Sequence, residues 1–196
     1  MAQPTVRVIV VTDGDRVALD AVQTAAAELG LRTISRSAGH PTRMTGFEMA
    51  SLSQYAPYDP VVVMVDDRGH PGEGPGERAL VELSADPRVE ILGVVAVAAR
   101  TDGVQAARVD RSVSARGEVV PSAVNKEGQP LPWQKHLAGD TVSVLDRLRV
   151  PVVIGTGDSG KGQDAISRGA PLTRRAIEEI LRHHGIERRH RPAPGQ

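Results

Sequence analysis

The fold of this chain is decided by its first apolar run, Val6-Arg7-Val8-Ile9-Val10-Val11-Thr12-Asp13-Gly14-Asp15. The run is β-branched almost throughout and ends in a polar, glycine-containing turn, which is typical of a buried strand followed by a loop. A helical apolar stripe then occupies 16–29 and stops at Gly30. Because a second strand is predicted over 31–37, the pattern predicts a right-handed βαβ unit and hence a parallel sheet.

The same alternation of strands and helices continues along the chain. Thr45 and Glu48 have the spacing of a capping box and open a predicted helix that ends near Tyr55. The remaining predicted elements are strands over 61–65, 89–98 and 151–154, helices over 77–84, 140–148 and 172–184, and a β-hairpin formed by 109–113 and 118–120. The predicted fold class is three-layer α/β, with a mostly parallel, flavodoxin- or Rossmann-like sheet and a β-hairpin insertion.

Composition narrows the classes of function. The 196 residues are 40% hydrophobic and 24% charged, which predicts a single globular domain over 1–185, and the Arg/His-rich segment 186–196 is predicted to be a flexible basic tail. Lys plus Arg and Asp plus Glu both total 24, and aromatics are 2%, so we expect no nucleic-acid partner. The absence of cysteine excludes disulfides and thiolate metal sites. Without a signal peptide or an apolar run of membrane-spanning length, the chain is expected to be cytoplasmic and to meet a membrane peripherally, without insertion.

Acidic residues follow two of the predicted strands. Asp13 and Asp15 come after the first strand, and Asp66 and Asp67 come after the third. Ligands of open parallel sheets bind outside the carboxyl ends of the strands, so in a flavodoxin-like strand order Asp13 and Asp66 would share one small cleft. Carboxylate oxygens suit Ca²⁺ or Mg²⁺, which makes the four aspartates candidate metal ligands. The alternative interpretation is structural, with Asp15 capping the next helix and the other pair accepting backbone N–H bonds.

A glycine-rich segment, residues 69–77, follows the third strand. Its composition lets the backbone approach a ligand closely, so Gly72, Gly74 and Glu77 are candidate ligand-binding residues above the same cleft. His40 and His70 lie in neighbouring loops and are interpreted as surface histidines rather than as ligands.

A second glycine-rich segment follows the last strand, and all of its residues are candidate anion ligands: Gly155, Thr156, Gly157, Asp158, Ser159, Gly160 and Lys161. The spacing of Gly155, Gly160 and Lys161 resembles that of a phosphate-binding P-loop, but Gly162 stands where the Mg²⁺-binding Ser or Thr is required. The sequence therefore disfavours nucleotide hydrolysis and leaves anion capture by backbone N–H groups and Lys161 as a hypothesis.

Taken together, the chain resembles the stage V sporulation protein AE family of spore-forming bacteria. The similar segments span roughly residues 5 to 184 and are 11–15, 35–42, 56–77, 89–94, 108–110, 139–142, 150–160 and 169–181. The departures are His40, where the family's loop is expected to carry Asn, and the Arg/His-rich tail. The resemblance implies a soluble member of a protein set that moves calcium dipicolinate across the inner spore membrane in sporulation and germination, and it supplies no catalytic residues.

Three hypotheses follow for the function. The leading one is a non-enzymatic accessory protein of the forespore, which docks on the membrane-spanning components of that set and senses Ca²⁺ or calcium dipicolinate at the strand ends. The alternative is a metal-dependent enzyme acting on a phosphate or carboxylate substrate, with Asp13, Asp15 and Asp66 as Mg²⁺ ligands. In the third, the hairpin over 109–120 mediates homo-oligomer formation and the strand ends are structural.

Overall fold

The computed structural model describes residues 5–70, 73–99, 106–139, 141–158, 164 and 170–186. Its strands are β1 (Val6–Val11), β2 (Arg32–Thr33), β3 (Val61–Met64), β4 (Val89–Val97), β5 (Ala106–Arg108), β6 (Arg111–Val113), β7 (Val119–Val120), β8 (His136–Ala138) and β9 (Val153–Thr156). Its helices are α1 (Arg16–Glu28), α2 (Gly46–Tyr55), α3 (Pro75–Ala85) and α4 (Pro171–His183). In this part of the chain, none of the helices has the length and apolar character needed to cross a membrane. The predicted tail falls outside the described residues from 187 onward.

The larger sheet has seven strands in the order β2-β3-β1-β4-β9-β6-β7. Pairing is parallel from β2 through to β6, and β6 and β7 form an antiparallel pair. The mostly parallel α/β sheet and the β-hairpin predicted from the sequence are therefore confirmed. The strand order makes β1 the neighbour of both β3 and β4, with Val8 opposite Val61 in one pair and opposite Ile91 in the other.

Helices cover both faces of this sheet and complete the three layers. Val8 and Val10 of β1 belong to the cluster that includes side chains of α2 and α3. Ile9 and Val11, which alternate with them, belong to the cluster that includes side chains of α1 and α4. Because successive side chains of a strand point to opposite faces, a nearly continuous apolar run is what a strand buried on both sides requires.

The sequence prediction was wrong in two connecting regions. The second strand is only Arg32–Thr33, because a 3₁₀ turn follows at Ser35–Ser37. In this turn the Ser37 Oγ accepts the Met64 N–H at 2.9 Å. The α-helix predicted over 140–148 is not found in the described part, 141–148, which holds a 3₁₀ turn at Leu145–Arg147. Here Val142, Val144 and Leu145 are all buried in one core cluster, and this close spacing does not suit the single buried face of an amphipathic helix.

A second, two-stranded sheet was not predicted. Strands β5 and β8 pair antiparallel, with Ala107 opposite Leu137, in stretches to which the sequence analysis assigned no strand or helix. Both of these side chains are fully buried in the cluster on the α2–α3 face of the main sheet. The segment 106–139, which also supplies β6 and β7 to the main sheet, is therefore an ordered insertion of the same domain.

Candidate functional site

A polar cleft lies where β1, β3 and β4 reach their carboxyl ends. It has a volume of about 140 Å³, small for a ligand pocket. Its lining residues are Thr12, Asp13, Asp15, His40, Asp66, Val97, Ala98, Ala99, Lys126 and Asp158. The cleft thus brings together Asp13 and Asp66, whose strands are neighbours, with Asp15 and Asp158 from the predicted set. It also contains His40 and Lys126, which the sequence analysis did not place there.

The buried carboxylate of Asp66 forms hydrogen bonds with residues of three loops, those of Gly14, His40 and Arg68. Its Oδ2 accepts the Gly14 N–H at 3.0 Å, and its Oδ1 accepts the Arg68 N–H at 2.6 Å. The His40 Nδ1 lies 2.7 Å from the same Oδ2. Because both oxygens of this carboxyl group already accept backbone N–H groups, Nδ1 is assigned as the donor of this bond, and Nε2 is the ring atom left for other chemistry.

The two loops around Asp66 meet at glycines. A Cβ on Gly14 would lie 2.4 Å from the Gly39 carbonyl oxygen and 2.9 Å from the Asp66 Cβ. No side chain fits in that space, so glycine at position 14 lets the turn after β1 contact the loop that carries His40. This contact fixes the wall of the cleft formed by Asp13, His40 and Asp66.

Asp15 and Asp13 differ in how their carboxylates are used. The Asp15 Oδ1 accepts the Ala18 N–H at 2.8 Å and caps α1, as the structural interpretation proposed. Asp13 accepts the Asp15 N–H through a longer bond of 3.3 Å. Burial raises the pKa of Asp13 to about 8, and the nearby charges of Asp15, Asp66 and Asp158 add to the rise. At neutral pH, Asp13 is therefore largely protonated.

The opposite wall of the cleft carries an ion pair. Lys126 Nζ lies 3.5 Å from Asp158 Oδ2, and the Asp158 N–H donates to the Lys126 carbonyl at 2.9 Å. A Cβ on Gly157 would lie 2.7 Å from the Gly128 nitrogen, so the chain after β9 contacts the insertion directly. The cleft therefore has an acidic wall from the parallel sheet and a wall with a lysine supplied by the insertion.

Asp67 and Glu77 do not line this cleft. The Asp67 carboxylate accepts the N–H groups of Gly76, at 2.6 Å, and Glu77, at 3.2 Å, and so caps α3. The Glu77 Oε1 in turn accepts the Ser143 N–H at 3.0 Å. Both side chains are buried, and burial together with the charge of Glu77 raises the pKa of Asp67 to about 6. Gly74 faces Asp67 at the same junction, and ligand binding by Gly74 and Glu77 stays a prediction.

The glycine-rich segment after the last strand begins later than predicted. Gly155 and Thr156 belong to β9, with Gly155 paired to Ala96 on one side and to Ser112 on the other. A Cβ on Gly155 would lie 2.4 Å from the Ser112 Oγ, so packing within the sheet accounts for this glycine. Gly157 and Asp158 follow the strand, whereas Gly72, Ser159, Gly160 and Lys161 lie outside the described residues. Anion capture by this segment stays a prediction.

The residues of the cleft can supply oxygen and imidazole ligands, but they do not form a complete ion site. Across the described ranges, no group of three or more His, Asp or Glu side chains is arranged to hold a metal ion. Ca²⁺ takes six to eight oxygen ligands, so an ion in this cleft needs most of its ligands from elsewhere. Metal binding by Asp13, Asp15, Asp66 and Asp67 stays a prediction.

The fold and the cleft define a class: three-layer α/β proteins with an open parallel sheet and a polar cleft beyond the carboxyl ends of its strands. Within that class, the family model of stage V sporulation protein AE1 matches residues 7–184, and the chain belongs to this family. The resemblance found in the sequence is thereby confirmed, and membership implies a sporulation-related role. Comparisons with curated proteins and with solved structures gave no significant match.

The raised pKa of Asp13 predicts a pH-dependent stability. Because the pKa of Asp13 lies above its ordinary value of 3.8, the folded protein binds more protons than the unfolded chain between about pH 4 and pH 8. This contribution to the free energy of unfolding is present at low pH and is lost as the pH rises through 8. We expect Asp13→Asn to be more stable than the wild type at pH 8.5, by about 1–3 kcal/mol, with the difference shrinking towards pH 5.

Urea unfolding at several pH values measures this difference. Asp20→Asn is the matched control, because Asp20 is an exposed acid on α1, and its substitution should leave the pH profile of the wild type unchanged. Parallel profiles for the wild type and Asp13→Asn would contradict the assigned pKa.

Proposed function

We propose that this protein is a peripheral accessory component of a complex that transports calcium dipicolinate across the spore inner membrane in sporulation and germination. In this proposal it resides in the forespore cytoplasm and docks on the membrane-spanning components of the complex. The cleft at the carboxyl ends of β1, β3 and β4 is its ligand-sensing site. Family membership supports a role in sporulation. The choice of ligand is supported by the two walls of the cleft, one of which carries aspartates and the other a lysine.

The makeup of the cleft favours a metal chelate over a free ion. Too few His, Asp and Glu side chains converge in the described residues to satisfy Ca²⁺ by themselves. A chelate brings its own carboxylate ligands, and water can fill further positions, so it needs fewer ligands from the protein than a free ion does. Asp13, whose carboxylate accepts only the long Asp15 bond among the described residues, is the side chain best placed to add a ligand once it loses its proton.

The charged side chains of the cleft are complementary to the cation and to the carboxylates of such a chelate. Asp13 and Asp66 lie on the wall that would face the cation, and Lys126 lies on the wall that would face the carboxylates of dipicolinate. Lys126 is held by Asp158 at 3.5 Å, a loose ion pair that leaves the ammonium group able to donate to a second acceptor. Binding of the chelate should release the proton of Asp13, so affinity should increase as the pH rises towards 8.

Isothermal titration calorimetry with Ca²⁺, Mg²⁺, dipicolinate and calcium dipicolinate, each alone, tests the proposal. We expect calcium dipicolinate to bind at least about tenfold more tightly than Ca²⁺ or dipicolinate alone. Asp13→Asn and Lys126→Gln should each weaken it about tenfold. Asp20→Asn is again the control that should bind normally. Asp66→Asn is a poorer test, because Asp66 holds Gly14, Arg68 and His40 in place and its loss would disturb the whole wall.

The titration separates the outcomes clearly. Absence of heat with all four compounds in a folded sample would reject ligand sensing and leave protein docking as the role to be tested. Tighter binding of Mg²⁺ than of calcium dipicolinate would instead favour the second candidate function, a metal-dependent enzyme.

The second candidate rests on the contact between His40 and Asp66. A histidine oriented by a buried carboxylate is the arrangement that general-base and metal-binding histidines share. An enzyme of this kind would act on a small phosphate or carboxylate substrate, and His40→Gln would abolish turnover without weakening substrate binding. Assays of a panel of phosphate esters with Mg²⁺ or Mn²⁺ test this candidate.

A further inference from the structure

Trp133 is the least buried large apolar side chain of the described residues. It is the single tryptophan of the chain, it is 99% exposed, and it lies in the turn that precedes β8. Its φ of +68° is in the left-handed region, which non-glycine residues rarely adopt. An exposed indole in such a conformation buries no area in the fold, so the fold gives no account of this side chain.

The turn that carries Trp133 is nevertheless well ordered by hydrogen bonds. The Gln134 N–H donates to the Leu131 carbonyl at 3.1 Å, and the Leu131 N–H donates to the Ala123 carbonyl at 2.8 Å. The Ala123 N–H donates back to the Gln134 carbonyl at 2.8 Å. These bonds hold residues 130–133, here called the tip, in a fixed position from which the indole projects into solvent.

The tip is apolar, and the segment that carries it has a net positive charge. Its sequence is Pro130-Leu131-Pro132-Trp133, and residues 128–139 contain no acid. Lys135 follows two residues later, and the exposed Arg108 and His136 are opposite each other in the β5–β8 pair. One acid at this sheet is Asp146, which accepts the Arg108 N–H at 2.9 Å. Over residues 106–139 as a whole, five Lys and Arg side chains stand against three Asp and Glu, so the segment that carries the tip has a net positive charge.

We propose that the tip places Trp133 in the interfacial region of a lipid bilayer that carries anionic lipids, a peripheral contact in which no segment crosses the bilayer. Tryptophan prefers the membrane interface, where its ring is apolar and its N–H stays hydrated. Lys135 and Arg108 add electrostatic attraction to anionic headgroups. A single projecting indole can enter the headgroup region of a fluid bilayer without a preformed pocket. Because only one side chain is buried there, we expect the protein to bind the membrane weakly and reversibly. This contact goes beyond the proposed function, which requires docking on a protein but not on lipid.

Because Trp133 is the single tryptophan, its fluorescence reports on the tip alone. The experiment mixes the full chain with vesicles of phosphatidylcholine, or of phosphatidylcholine with about 30% phosphatidylglycerol, without calcium, dipicolinate or any partner protein. We expect a blue shift of the emission with the anionic vesicles and recovery of the protein with them on flotation. Trp133→Ala should lower the partition coefficient about tenfold. Tyr55→Ala, which removes an 88% exposed ring on α2, should partition like the wild type.

Three results would overturn the inference. They are an absence of flotation with anionic vesicles, flotation without a blue shift, and equal flotation of Trp133→Ala and the wild type. An emission shift that occurs with an acidic protein but not with vesicles would assign the tip to a protein contact and reject lipid binding. Because the vesicles contain neither ligand nor partner, a negative result leaves the proposed ligand sensing intact, and the titration result likewise leaves the lipid contact intact.

Discussion

Substitution of Gly46 by alanine is expected to destabilise the protein by about 2–4 kcal/mol. Gly46 is the first residue of α2 and lies directly against α3. A Cβ there would lie 2.2 Å from the Ala79 carbonyl oxygen and 2.3 Å from the Leu83 nitrogen, both of which are backbone atoms that no rotamer change can move. The helix propensity of alanine would return at most about 1 kcal/mol, so the steric cost prevails.

The free energy of unfolding in urea measures this effect, with Phe47→Ala as the control. Phe47 is the next residue of the same helix, but its side chain is 53% exposed, so its truncation should cost much less than the Gly46 substitution. A Gly46→Ala protein of wild-type stability would show that α2 and α3 do not approach as closely as described. Because the capping box of Thr45 and Glu48 precedes the contact, the variant should lose tertiary packing before it loses the start of α2.

The fold was predictable from the sequence where the signals are local. The apolar run of β1 fixed its bounds at Val6–Val11, and the spacing of Thr45 and Glu48 located the start of α2. In contrast, β5 and β8 have three residues each and pair across the intervening hairpin and loop. Ala106 and Ala107 have low strand propensity, so pairing with β8 and the burial of Ala107 against the main sheet, rather than propensity, make these residues a strand.

The candidate site was predictable in part for a related reason. Asp13 and Asp66 end strands that pair in the sheet, and adjacency of the strands brings them into one cleft. Asp67 follows Asp66 directly, but successive residues of an extended chain point in opposite directions, so Asp67 caps α3 instead. Lys126 has no sequence signal at all, because it reaches the cleft only through the contact of Gly157 with the insertion.

Substitution of the buried Glu179 is expected to lower the free energy of unfolding, because its carboxylate pairs with three arginines. Its side chain is 3% exposed, and its carboxylate lies 3.3 Å from Arg111 on β6 and 3.3 Å from Arg175 on α4. Arg182, one turn further along α4, donates to the same carboxylate. Glu179→Gln would leave these guanidinium groups around a neutral amide. Because the three arginines are 34–59% exposed and can be hydrated, we expect a cost of about 1–3 kcal/mol, below that of a pair buried on both sides.

Glu178→Gln provides the matched comparison on the same helix. Glu178 also pairs with arginines, at 3.7 Å from Arg174 and 3.6 Å from Arg175, but its side chain is 29% exposed. Pairs of this kind contribute about 0–1 kcal/mol, because water and salt screen them, so the two substitutions should differ severalfold in unfolding free energy. The coupling between Glu179 and Arg111, measured by a double-mutant cycle, should be favourable, since this pair joins α4 to β6. Equal effects at 178 and 179 would show that Glu179 is hydrated, and that apolar packing alone holds α4 against the sheet.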